Sequence, residues 1–184
     1  MNHFWDQIKN SDMFNFQDVY RDAVLRCDRG GTIVELGSWV GQSLAYLIVE
    51  ALNAQKDIRV VSVEAFLGNV HGGEEVKERP QWDLFKKNLA PVWKHVIAIK
   101  SLSYPAAAFF ADGAVDTVFV DADHHFEAVA ADLYVWWPKV KAGGWLAGHD
   151  FQHPPIKQAL ALFGTKNLVR WTVRGNSWVI EKPA

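Results

Sequence analysis

The sequence has few of the features that would point to a secreted, membrane or nucleic-acid-binding protein. Cys27 is the only cysteine in 184 residues, which excludes an internal disulfide and a thiolate zinc cluster. The 19 Lys and Arg against 21 Asp and Glu give a net charge of −2, so there is no basic surface for nucleic acid or an anionic membrane. Long uncharged apolar runs and a signal-peptide pattern are also missing. We therefore expect a cytoplasmic protein without nucleic-acid or membrane partners.

Internal repeats and low-complexity tracts are absent as well, which argues against a solenoid or a linker-rich protein. The length and the 49% hydrophobic content suffice for one full core and are too small for two ordinary domains. We predict one domain over residues 1–184, in which residues 1–31 form a helical cap.

Short apolar runs alternate with segments of helical length. The clearest helix is Phe126–Val140, whose apolar residues recur at helical spacing, and we expect Pro138 and the Gly143-Gly144 pair to end it. Strands joined by crossover helices form a parallel sheet with helices on both faces. The predicted strands are Thr32–Leu36, Arg59–Glu64, Val96–Lys100, Thr117–Asp121 and Trp145–Gly148.

Two further segments depart from this alternation. Leu168–Val173 and Trp178–Ile180 are strand-like runs on either side of a Gly175-Asn176 turn, which predicts an antiparallel hairpin and a total of seven strands. Residues 66–80 are rich in Gly and Glu and follow the second strand directly. They are either a lid over a cleft at the strand ends or a surface insertion.

A glycine turn joins the first strand to the next helix in IVELGSWVGQSLAYLIVEAL. Glycine lets the backbone approach a ligand closely, and the helix N-terminus offers free N–H groups. Gly37 and Gly41 have the wrong spacing for a phosphate-binding P-loop, and Gln42 stands where the lysine should be. A third glycine of the dinucleotide motif is missing, so NAD is the weaker alternative.

Polar residues also end the second, fourth and fifth strands. Glu64 ends the second strand, where a carboxylate can accept both hydroxyls of a ribose. The fourth strand leads into Asp121-Ala122-Asp123-His124-His125 and the fifth into Gly148-His149-Asp150. Because the carboxyl ends of parallel strands meet at one edge, we expect these clusters to face the same cleft.

The chemistry of these clusters allows two interpretations. Asp121, His149 and Asp150 offer ligands for a divalent cation such as Mg²⁺, which would lower the pKa of an acceptor hydroxyl. His124 or Asp123 would then accept the proton. A metal-free histidine base would use the same residues, and an exposed polar turn is the non-functional alternative.

From Ile33 to Phe151 the sequence resembles the class I S-adenosylmethionine-dependent methyltransferases, and in particular the small branch like methyltransferase 24. The shared segments are D-x-D-H and a later G-G-x-x-A-G-H-D, which read VDADHHFEAVAADLYVWWPKVKAGGWLAGHDF here. The resemblance implies a Rossmann-like, doubly wound α/β sheet with strand order 3-2-1-4-5-7-6 and an antiparallel last strand. It also implies a S-adenosylmethionine site at Gly37, Ser38, Trp39, Gly41, Glu64, Ser101 and Asp121.

Neighbouring residues of the same turns complete the predicted cofactor site: Glu35, Ser43, Ala65 and Leu102. In related sugar O-methyltransferases acidic residues that end strands four and five bind Mg²⁺. Asp121 and Asp150 match those positions, His149 replaces a second carboxylate, and His124 matches the general base.

We expect O-methylation of a small molecule or sugar, with a divalent cation assisting. The alternatives are a metal-free N-methyltransferase, a nicotinamide-dependent oxidoreductase and a binding module without catalysis. The aromatic content would suit a homodimer.

Overall fold

The computed structural model describes residues 1–8, 14–67, 70–71, 74–75 and 78–184. Side chains are described in these ranges except at residues 70–80. The strands are β1 Thr32–Leu36, β2 Arg59–Glu64, β3 Val70–His71, β4 Glu74–Glu75, β5 Ile97–Lys100, β6 Val115–Val120, β7 Val140–Gly148, β8 Thr172–Arg174 and β9 Ser177–Glu181. The α-helices are α1 Gln17–Arg26, α2 Gln42–Ala54, α3 Glu78–Asn88, α4 Ser103–Ala106, α5 Phe126–Trp136 and α6 Pro154–Asn167.

Seven of the strands form one sheet in the order β5-β2-β1-β6-β7-β9-β8. The first five of these are parallel, and β9 runs antiparallel to both β7 and β8. Leaving out the separate pair β3 and β4, this is the order 3-2-1-4-5-7-6 and confirms the predicted fold class. The order reverses between β1 and β6, which is where ligands bind in open α/β sheets.

The core lies on both faces of this sheet. All five residues of β1 are buried, as expected for a central parallel strand covered on both sides. One face packs under α1 and α2, with Leu44, Leu47 and Phe119 fully buried. The other face packs under α5 and α6, with Leu133 and Phe163 fully buried. Both helical layers therefore hold the strand ends at the middle of the sheet in fixed positions.

Strands β1 and β2 have the predicted bounds, whereas the segment around β7 differs. The helix ends at Trp136, and a 3-10 turn that contains Pro138 follows. The prediction that Gly143-Gly144 ends this helix is wrong, because both glycines lie inside β7. Gly143 N–H donates to Lys182 O, and Lys182 N–H donates to Gly144 O. These bonds extend the antiparallel contact with the end of the chain.

The C-terminal hairpin is confirmed, although it starts later than predicted. Arg174 pairs with Ser177 across the Gly175-Asn176 turn. Leu168 is not in a strand: it caps α6 in the left-handed conformation with φ +56°. Its apolar side chain suggested a strand, but the local backbone ends a helix there.

The N-terminal segment forms a 3-10 turn at Trp5–Gln7 and helix α1, which packs against α2. The predicted lid at residues 66–80 includes positions 68–69, 72–73 and 76–77, which lie outside the described residues, so closure stays a prediction. At its first residue, the buried Phe66 ring contacts Trp82 and Phe85, with centroids 4.7 Å and 5.1 Å away. Within the described ranges, no helix has the length and apolarity needed to cross a membrane.

Candidate active site

Two cavities open side by side at the carboxyl ends of the central strands. One has a volume of about 430 Å³ and the other about 420 Å³. The residues that line both are Gly37, Trp39, Asp121, Ala122 and His124. The strand ends predicted from the sequence therefore meet at one site, with a shared wall in its middle.

The first cavity is built from the ends of β1, β2 and β5. Of the predicted cofactor residues, its lining includes Gly37, Trp39, Glu64, Ala65, Ser101, Leu102 and Asp121. The predicted residues Ser38 and Ser43 line the second cavity instead. This volume falls within the range of small-molecule sites in proteins, roughly 300–1,000 Å³.

The turn after β1 requires glycine because its backbone has positive φ angles and because a side chain at Gly37 would have no space. Gly37 has φ +84°, and a Cβ there would lie 2.1 Å from the backbone oxygen of Asp121. Gly41 has φ +88° and is the N-cap residue that precedes α2, but it lines neither cavity. Trp39 holds φ +47° without being glycine, a conformation that costs free energy and is often found at binding sites.

Glu35 lies beneath this turn and not in either cavity. Its side chain is fully buried, Tyr20 donates to one carboxyl oxygen at 2.5 Å and Ser38 donates to the other at 2.5 Å. Ser38 Oγ also lies 2.7 Å from Ser62 Oγ. Burial raises the pKa of Glu35 to about 7, against the hydrogen bonds that lower it. The structure thus places this predicted cofactor residue as a support of the turn.

Glu64 lines the first cavity at the end of β2, as predicted for a ribose ligand. Its carboxylate accepts the backbone N–H of Trp39 at 2.8 Å and that of Phe66 at 3.0 Å. Burial raises the pKa of Glu64, and these backbone hydrogen bonds oppose the rise. The carboxylate therefore connects the glycine turn with the end of β2.

Asp121 and His124, which line both cavities, lie beside Asp150, which lines the second. His124 Nε2 lies 3.1 Å from Asp150 Oδ2 and 3.6 Å from Asp121 Oδ1. That nitrogen is buried and has no aligned hydrogen-bond partner within the described part of the chain. The adjacent Asp121 carboxylate raises the pKa of His124, although burial opposes the rise. We call Asp121, His124 and Asp150 the acid–histidine cluster.

His149 lies beside this cluster and is held by the N-terminal segment. Its Nε2 is 2.8 Å from Asn15 Oδ1, and its Nδ1 is 3.4 Å from Asp150 Oδ1. Asn176 also donates to Asp150 Oδ1 at 3.1 Å. Burial raises the pKa of Asp150, but the contact with His149 and the positive charge of His124 outweigh it and leave the pKa below its ordinary value. Asp150 has φ +55°, a second strained residue at this site.

Asp123 lies at the protein surface, and its hydrogen bonds go to His125 and not to the acid–histidine cluster. Its Oδ1 accepts the backbone N–H of His125 at 2.8 Å and lies 2.6 Å from His125 Nδ1. Its side chain is exposed, whereas His124 is partly buried between two carboxylates. Of the two predicted proton acceptors, the structure brings His124 to the middle of the site.

A divalent cation fits the acid–histidine cluster. One ligand atom from each of the three residues lies within 4.8 Å of the other two, and His124 Nε2 is a buried nitrogen without an aligned partner. Carboxylate oxygens suit Mg²⁺, and an imidazole nitrogen suits transition metals. His149, predicted as a ligand, points Nδ1 at the same carboxylates but binds Asn15 through its other nitrogen. The structure thus adds His124 to the candidate ligands.

Several residues that line the second cavity were not predicted from the sequence. They are Phe14, Asn15 and Phe16 of the N-terminal segment, together with Gln152 and Asn176. The Phe16 ring packs against His149, with centroids 4.7 Å apart. The only sequence signal was the aromatic density ahead of the first strand, and that pattern alone does not indicate which element it covers.

A family model described as a methyltransferase domain, Methyltransf_24, matches residues 34–151, which is more than half of the chain. The matched range contains the glycine turn, Glu64, Ser101 and the whole acid–histidine cluster. No curated protein sequence matches the chain significantly.

Solved structures of low sequence identity share the fold. The O-methyltransferase NovP is 17% identical, with 91% of this chain and 79% of that chain covered and a TM-score of 0.66. The O-methyltransferase TomG from Streptomyces achromogenes, in complex with S-adenosylmethionine, is 15% identical, with coverages of 96% and 85% and a TM-score of 0.63. Fibrillarin from Aeropyrum pernix, with natively bound S-adenosylmethionine, is 13% identical, with coverages of 89% and 75% and a TM-score of 0.56.

The fold and the site therefore define a class I methyltransferase that uses S-adenosylmethionine. More particularly, the chain belongs to the methyltransferase 24 family.

Proposed function

We propose that this domain transfers a methyl group from S-adenosylmethionine to an oxygen of a small-molecule acceptor. The observation that supports the proposal best is the position of the acid–histidine cluster: Asp121 and His124 line both cavities, and Asp150 lines the second. One cavity would hold the nucleoside and the other the acceptor, so a proton acceptor between them stands where the methyl group is transferred. The fold neighbours NovP and TomG are both named O-methyltransferases.

Different residues of the first cavity would bind different parts of the cofactor. Glu64 offers a carboxylate for the ribose hydroxyls, and the wall of Ser101 and Leu102 faces the adenine. The turn at Gly37 lets the backbone approach the sulfonium closely. S-adenosylmethionine, when bound, supplies an electrophilic methyl group on sulfur.

His124 would accept the proton of the acceptor hydroxyl at Nε2 as that oxygen is methylated. Asp121 and Asp150 stabilise the resulting imidazolium, because both carboxylates lie within 3.6 Å of Nε2. Phe14 and Phe16 line the second cavity and would give the acceptor an apolar surface to pack against. If a divalent cation is bound by the cluster, it would occupy the Nε2 nitrogen, so His124 would be a ligand in place of the base; the cation would supply a positive charge that lowers the pKa of the acceptor hydroxyl, whose proton would pass to solvent.

The test combines binding with activity on a panel of hydroxylated acceptors. Calorimetry should show S-adenosylmethionine binding to the wild-type protein, and a folded protein that fails to bind would refute the assignment. His124→Gln should lower kcat by about 10²-fold or more, as loss of a general base does. The exposed His95 lies far from the cluster, so His95→Ala is the matched control and should keep wild-type kcat.

The role of a cation is tested by treating the active enzyme with a chelator. Activity lost with the chelator and restored by Mg²⁺ or Mn²⁺ assigns the cluster as a metal site. Activity that persists with the chelator but is lost in His124→Gln assigns His124 as a base that works without metal. Activity unchanged by both would leave the cluster no catalytic part in the reaction.

A further inference from the structure

Asp132 of α5 is a buried carboxyl that the proposed reaction does not use. Its side chain is fully buried, and Ser103 Oγ donates to Oδ2 at 2.8 Å. Oδ1 has no hydrogen-bond partner among the described residues. Burial raises the pKa of Asp132 to about 7. A carboxyl buried with one partner costs free energy, so general stabilisation of the fold does not explain it.

Ser103, the partner of Asp132, belongs to the wall of the cofactor cavity. It follows Ser101 and Leu102 directly, and all three residues line that cavity. The same helix also holds the backbone of Ser103, because Trp136 Nε1 donates to Ser103 O at 3.1 Å. Asp132 and Trp136 are one helical turn apart and face the same side. Helix α5 therefore binds Ser103 at both its hydroxyl and its carbonyl group.

This wall has little other support from the sheet. β5 is the edge strand and is paired along one side with β2. Ser101 N–H donates to Glu64 O at 3.2 Å, the last contact of that pairing. After it the chain turns outward, where Leu102 is 47% exposed and Tyr104 is 52% exposed. Ser103 begins the short helix α4, and the two bonds from α5 are the side-chain hydrogen bonds that the described residues make to it.

We propose that Asp132 is a positioning residue for the adenine end of the cofactor site: it holds Ser103, and through Ser103 the wall of residues 101–103, in place. This inference rests on the proposed S-adenosylmethionine site. Asp132 does not line either cavity, so its effect on binding passes through Ser103. Losing the hydrogen bond between Asp132 and Ser103 should therefore weaken the binding of the nucleoside part of any ligand and leave the rate of methyl transfer unchanged.

The test measures dissociation constants by calorimetry for S-adenosylmethionine and for 5′-methylthioadenosine, which lacks the amino acid part. Asp132→Ala should weaken both ligands by the same factor, about 5-fold for one lost hydrogen bond. KM for S-adenosylmethionine should rise by a similar factor with kcat unchanged. Asp132→Asn keeps an oxygen that accepts from Ser103 and should bind both ligands within about 2-fold of wild type.

A mutant cycle separates positioning from general loss of structure. Ser103→Ala removes the same bond from the other side, so Asp132→Ala should add no further loss of affinity in that background. Equal losses in both backgrounds, an Asn variant as weak as the Ala variant, or a fall in kcat at constant KM would overturn the proposal. If Asp132→Ala does not fold, Asp132→Asn and Ser103→Ala decide it: the first must bind normally and the second must weaken both ligands. Absence of wild-type binding would refute the cofactor assignment instead.

Discussion

Replacing Glu35 by glutamine should change how the stability of this protein depends on pH. Glu35 is fully buried under the glycine turn, and burial raises its pKa from 4.5 to about 7. Between these two values the folded protein keeps a proton that the unfolded chain has released. The free energy of unfolding therefore falls as the pH rises through this window. At pH 8 the full effect is on the order of 3 kcal/mol.

The assay is urea unfolding of wild type and Glu35→Gln at pH 5 and pH 8. Glutamine cannot ionise, so the variant should lose roughly 2 to 3 kcal/mol less between the two pH values than wild type does, because a part of the full effect already falls below pH 5. The comparison uses the change with pH, because the substitution also alters the bonds to Tyr20 and Ser38 at every pH. Glu127→Gln, at an exposed position on α5, is the control and should keep the wild-type slope. Equal slopes for Glu35→Gln and wild type would refute the reasoning.

Three further predictions concern Asp132, Gly37 and Asn15. Asp132→Asn should also flatten the pH profile, because burial raises the pKa of Asp132 to about 7, and a slope equal to wild type in urea unfolding would contradict this. Gly37→Ala should lower the melting temperature and abolish S-adenosylmethionine binding in calorimetry, because its Cβ would lie 2.1 Å from Asp121 O. Normal binding would show that the backbone of the turn can shift to accommodate the Cβ, and would contradict the prediction. Asn15→Ala should release His149 and lower kcat/KM for the acceptor about 10-fold with the cofactor Kd unchanged; a change confined to the Kd would contradict it.

Much of the fold could be predicted because its parallel strands are buried on both faces. Such strands appear as short apolar runs, and β1 and β2 begin and end where those runs do. The bounds of β7 were less clear, since Gly143 and Gly144 are typical of a turn, yet backbone bonds to Lys182 keep them in the strand. That pairing joins segments far apart in the chain, and a local pattern carries no information about it.

The location of the candidate site could also be predicted from the buried parallel strands. Residues at strand ends could be located, because parallel strands bring their carboxyl ends to one edge. The direction of each side chain could not be predicted from the sequence. The Glu35 side chain lies buried beneath the glycine turn, and His124 lies in the cluster beside His149. The contact between Asn15 and His149 spans 134 positions, and it depends on how the N-terminal segment packs.

The wall of the second cavity and the reactive groups inside it come from separate parts of the polypeptide. Phe14, Asn15 and Phe16 precede β1, whereas Asp121, His124 and Asp150 follow β6 and β7. Selectivity toward acceptors can therefore be altered by exchanging a short stretch near the start of the chain while the transfer chemistry is kept. Tyr20 of the following helix α1 limits such exchanges, because its hydroxyl donates to Glu35 beneath the cofactor turn. The Phe14 and Phe16 rings also pack against the Tyr20 ring, with centroids 6.1 Å and 5.0 Å away, so a library that searches for new acceptors should keep apolar side chains at both positions and retain Tyr20.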